Sequence, residues 1–81
     1  MTLKEFIIAA RNIEAISEFT NITFENSDGC RYRDDIDFNF IVNLGNALDK
    51  FNDKTLNRVI KYARPYSNQG YSCFSIAFKE N

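Results

Sequence analysis

Hydrophobic and polar positions change period several times along this chain. Leu3, Phe6, Ala9 or Ala10, Ile13 and Ile16 or Ser17 follow the 3.6-residue repeat of a helix. Thr2 and Glu5 fit a capping box, in which each side chain satisfies the other's backbone N–H. The spacing therefore predicts a first helix over residues 2–18, with Ile7 and Ile8 widening its apolar surface and Lys4, Arg11, Glu14 and Glu18 on the solvated side. The period then drops to two. Ile22 and Phe24 alternate with Thr23 and Glu25, as in a half-buried strand. Asn26-Ser27-Asp28-Gly29 supplies a tight-turn cluster, and Cys30-Arg31-Tyr32-Arg33 alternates again. A β-hairpin over 21–33 is expected.

Residues 34–42 satisfy two patterns. Ile36, Phe38, Phe40 and Val42 alternate as in a strand, while Ile36, Phe40, Leu44 and Leu48 recur as in a helix that Asp34 or Asp35 would cap. The helical reading places a helix at about 36–51. The competing reading extends the sheet to 41 and begins a shorter helix near Asn43. Gly45 costs ~1 kcal/mol inside a helix, so it marks a close approach or a misplaced boundary. Asn52-Asp53 breaks the chain. Leu56, Val59, Ile60 and Ala63 then make an apolar stripe, Asp53 serves as N-cap and Pro65 as the stop, which predicts a helix over 53–64. Lys54, Arg58 and Lys61 would share its solvated face, with Arg64 near its end. Tyr66-Ser67-Asn68-Gln69-Gly70 reads as a turn. Residues 71–78 alternate cleanly, with Phe74, Ile76 and Phe78 on one face and Tyr71, Cys73, Ser75 and Ala77 on the other.

The resulting order is α-β-β-α-α-β. It predicts an α+β single domain over 1–81, with a three-stranded, mostly antiparallel sheet and helices on one face. The 81-residue length suits one domain. Hydrophobic residues at 44% and eight Phe with four Tyr argue for a folded chain rather than a disordered one. Ordering costs ~1.5 kcal/mol per residue, so a core of this size is only marginal, and a homodimer interface would help a monomer of this kind.

Composition narrows the chemistry. The chain has no histidine, so imidazole bases and Ser-His or Cys-His pairs are absent. Cys30 and Cys73 alone cannot build a usual four-ligand zinc site, and they read as small buried strand residues. Gly29, Gly45 and Gly70 are isolated and form no phosphate-binding loop. Asp34, Asp35 and Asp37 lack calcium-loop spacing and read as a helix start. No cofactor, no metal and no catalysis are expected. The first residues do not form a signal peptide and no apolar run reaches ~20 residues, which points to a cytoplasmic chain away from membranes.

Charge is unevenly spread. Residues 1–37 hold eight acids against four bases, a balance of −4, and residues 38–81 hold three acids against six bases, a balance of +3. Two expectations follow. The first is a small protein-binding module, an inhibitor or adaptor that occupies a partner's surface through Lys54, Arg58, Lys61, Arg64, Tyr62, Tyr66 and Tyr71. These include residue types enriched at interface hot spots. Free-standing chains of this size are common among phage and mobile-element proteins, so a CRISPR effector or other host defence complex is the sharper form of that expectation. The second is a nucleic-acid-binding accessory protein whose basic helix face at 53–64 meets phosphates. Three or four such contacts give a salt slope of only about −3, and the overall charge of −1 is against it.

Overall fold

The computed structural model describes residues 1–25 and 42–79. Its elements are helix α1 (Leu3–Arg11), strand β1 (Asn21–Phe24), short helices α2 (Ala47–Lys50) and α3 (Asp53–Leu56), and strands β2 (Ile60–Asn68) and β3 (Tyr71–Phe78). The α+β class holds, and among the described residues the sheet has three strands in the order β1-β3-β2. The strands differ from those expected. β3 pairs with β2 in antiparallel fashion and with β1 in parallel fashion, so the sheet is mixed. The expected turn at 26–29, the strand at 30–33 and residues 34–41, with Asp34, Asp35 and Asp37, lie outside the described residues.

The capping box at the start of α1 is present. The Thr2 amide donates to Glu5 Oε1 at 2.9 Å and the Glu5 amide donates to Thr2 Oγ1 at 3.2 Å. The helix ends at Arg11, well short of residue 18, and buries Leu3, Ile7 and Ala10. Beyond it the chain advances by single turns, with Ile16 donating to the Ile13 carbonyl and Thr20 to that of Ser17. Asn12 occupies the C-cap, and the Ser17 hydroxyl accepts from the Phe19 amide at 3.1 Å. Such local side-chain bonds compete with helix propagation.

Residues 42–46 also depart from the expected helix over 36–51. Val42 and Leu44 run beside β1: the Ile22 amide donates to the Val42 carbonyl at 2.8 Å, and the Leu44 amide to that of Thr20 at 3.0 Å. Asn43 and Asn46 then exchange two amide-to-side-chain bonds of 3.0 Å, turning the chain into α2. Gly45 sits in this turn, where a Cβ would come within 3.3 Å of Asn43 Oδ1 and 3.5 Å of the Glu18 backbone oxygen.

The helix expected over 53–64 is the largest correction. Only Asp53–Leu56 is helical, and its N-cap is Asn52, whose Oδ1 accepts from Thr55 at 2.8 Å. From Ile60 the chain is a strand, as suits β-branched and aromatic residues and an X-Pro step that disfavours α geometry. The pairing with β3 slips between Ile60 and Tyr62, so Lys61 is the extra residue of a bulge. Ile60 and Ala63 both reach the core although they are three apart. The bulge thus gives a strand the spacing of a helix. Tyr66–Asn68, expected in a turn, continue β2, and Gln69-Gly70 alone makes the turn. β3 matches the expectation at both ends.

Core residues come from every element. Leu3, Ile7, Leu44 and Ile76 are fully buried. The Phe24 ring stacks on Phe78 at 5.3 Å and meets Phe51 edge-on at 5.5 Å, while Phe6 stands perpendicular to Phe74 at 5.2 Å. These contacts put α1 and the short helices on the Phe74-Ile76-Phe78 face, as expected. The other face of the sheet carries the polar residues.

Candidate functional site

Alternation along the strands assigns the outer face. From β1 it receives Thr23 and, one step past the strand, Glu25. β3 contributes Tyr71, Cys73, Ser75 and Ala77. From β2 it takes Tyr62, Arg64, Tyr66 and Asn68, which lie opposite Ala77, Ser75, Cys73 and Tyr71. Glu25 is held there because its amide donates to the Ile76 carbonyl at 3.0 Å, extending the parallel ladder.

The Glu25 side chain is only 4% exposed. Arg64 closes on it as a fork, with Nε donating to Oε1 at 2.8 Å and Nη2 to Oε2 at 3.0 Å. Bidentate pairs of this kind combine charge with fixed geometry. Arg64 holds the Glu25 carboxyl below its ordinary range, and the Ser75 and Tyr62 hydroxyls add to this against the opposing effect of burial. The same pairing pushes the Arg64 guanidinium up. The two bonds fix the orientation of the Arg64 guanidinium on the sheet face.

A second bond set fixes Tyr66. Thr23 Oγ1 donates to the Phe74 carbonyl at 3.0 Å and lies 2.9 Å from the Tyr66 hydroxyl. Its single proton is committed to the carbonyl, so Tyr66 is the donor in the second contact. Arg64 lies 5.9 Å from the Tyr66 ring centroid. Between them opens a cleft of about 320 Å³, lined by Thr23, Glu25, Arg64, Tyr66, Asn68 and Ser75.

The structure brings together four of the seven residues expected at a partner interface. Tyr62, Arg64, Tyr66 and Tyr71 share the outer face, and Tyr71 is 66% exposed. Lys61 lies exposed at the bulge beside them. Arg58 does not join them: its guanidinium lies 4.0 Å over the Phe78 ring. Lys54 is exposed on α3. The single basic helix face that would have united Lys54, Arg58, Lys61 and Arg64 is therefore absent. Nothing in the sequence pattern sets Glu25, Thr23, Ser75 and Asn68 apart as site residues. The alternation at 22–25 put Glu25 on a solvated face, and nothing local signals a partner 39 positions away.

Among the described residues, no group of three or more His, Cys, Asp or Glu side chains could hold a metal ion. Cys73 is buried, its thiol 3.6 Å from the Tyr71 carbonyl, and Cys30 lies outside the described residues. No described helix is long and apolar enough to cross a membrane. The site is thus an aromatic and basic sheet face built around a buried acid. No protein-family model, no curated protein and no solved structure matches the chain.

Proposed function

We infer that the chain is a small non-enzymatic protein-binding module of the cytoplasm, an inhibitor or adaptor that acts by covering a partner's surface with the outer face of its sheet. The observation that carries this reading is Arg64, fixed by Glu25 and set between Tyr62 and Tyr66, with Tyr71 farther along the same face. Tyr and Arg are the residues most enriched at interface hot spots, and a side chain already held in place loses less freedom on docking. The nucleic-acid reading loses the helix face on which it rested.

A photo-crosslinking residue in place of Tyr71, in the full chain expressed in its native host, tests the reading. The expected result is one protein captured in stoichiometric yield, with none captured from the same residue at Lys54. Equal capture from both positions, or capture of nucleic acid, would overturn it.

A further inference from the structure

The outer face has a charge pattern as well as an aromatic one. Tyr62 opposes Ala77, and Lys61, just before it, is the extra residue of the bulge. Lys79 follows at the same end, where its amide donates to the Val59 carbonyl at 2.9 Å. Both lysines are exposed. Along the strand, Arg64 uses two of its N–H groups on Glu25, and its side chain remains 57% exposed. A guanidinium has five such groups. The only described acid on this face is Glu25, which is buried and already paired. Among the described residues, the surface presented to a partner is therefore cationic, with tyrosines beside the cations.

We propose that this face docks an acidic segment of a partner protein, whose carboxylates meet Lys61, Lys79 and the outward N–H groups of Arg64 while the tyrosines pack on its apolar atoms. The proposal rests on the protein-binding reading and gives the partner a chemistry. Arg64 already shows the expected geometry, since it grips a carboxylate through two parallel bonds. Nucleic acid suits the face less well. With one of the three cations described on this face matched internally, few phosphates could be neutralised there, and affinity for a polyanion scales with that number.

Fluorescence polarisation on the full chain tests the proposal with three labelled probes: a hexaglutamate peptide, a hexalysine peptide and a short single strand of DNA. The expected result is salt-sensitive binding of hexaglutamate and none of hexalysine. Lys61→Glu combined with Lys79→Glu should weaken hexaglutamate at least tenfold, and Arg64→Lys should weaken it severalfold while circular dichroism is unchanged. Lys54→Glu should leave it as in the wild type. Absence of hexaglutamate binding, equal binding by the double reversal, or tighter binding of the DNA strand would overturn the proposal. Failure here with successful capture at Tyr71 would remove the acidic partner and leave the protein-binding reading in place.

Discussion

Burial alone would push a glutamate toward its neutral form. At Glu25 the donors from Arg64, Ser75 and Tyr62 reverse that tendency, and the carboxyl titrates below its ordinary value of 4.5. The unfolded chain then takes up a proton at higher pH than the folded one. The pair's contribution is therefore fully present above pH 4.5 and is lost as pH falls below it through the lowered folded value. Glu5 behaves in the same sense because the Thr2 amide and hydroxyl hold its carboxylate. Replacing Glu25 by Gln separates the two. Urea unfolding at pH 7 should show a loss on the order of 1 kcal/mol, a modest figure because Arg64 is more than half exposed. The drop in stability between pH 7 and pH 3.5 should shrink accordingly. An unchanged acid profile in the variant would show that the pair contributes nothing to it.

At the scale of elements, Pro65 explains how β2, an edge strand among the described residues beyond Ile60, survives as one. Gln69 and Gly70 both have positive φ, 51° and 85°, as the two-residue turn of a tight hairpin requires. In such a hairpin the flanking residues Asn68 and Tyr71 form a hydrogen-bonded pair. Bonding then alternates along the strand, so Tyr66 and Arg64 face β3, and Ser67, Pro65 and Ala63 point their backbone groups outward. The missing N–H of Pro65 thus falls on the open side, where it costs the sheet nothing and interrupts any strand that would add there. Pro65→Val restores that donor. Sedimentation velocity at rising concentration should show self-association in the variant and less of it in the wild type; identical behaviour would mean that Pro65 does not guard the edge.

The same strand shows what could be read from the sequence. Residues 71–78 alternate without interruption, so β3 was legible at both ends. In β2 the bulge at Lys61 breaks the alternation and sets Ile60 and Ala63 three apart, which reproduces a helical stripe. Pro65 suits a helix stop, but its restriction on Arg64 equally favours a strand. The tyrosines and Arg64 were legible as interface residue types. The buried acid that positions Arg64 was not, because its partner is fixed by strand order and not by spacing.

For the molecule as a whole, the charge asymmetry in the sequence becomes local once folded. Arg64 from the basic half closes on Glu25 from the acidic half, and Arg58 covers Phe78. Among the described residues, Lys61, Lys79 and the outward side of Arg64 remain exposed on the outer face. The sheet joins distant parts of the chain in the same way. Among the named strands β1 pairs with β3, which follows both short helices in the chain, while β2 and β3 are joined by two residues.

That parallel pairing has a consequence for the order in which the protein is made and folds. A hairpin with a two-residue turn closes in microseconds, whereas bringing β1 to β3 requires a loop from residue 25 to residue 70 to close first. Pulse-labelled hydrogen exchange during refolding should protect the Tyr66 amide, which faces β3 within the hairpin, before that of Glu25, which donates across the parallel pair. Simultaneous protection would exclude this order. On the ribosome the delay is longer. Ile22 and Phe24 emerge before β3 has been translated, so their pairing with that strand waits until Phe78 is synthesised and clears the exit tunnel.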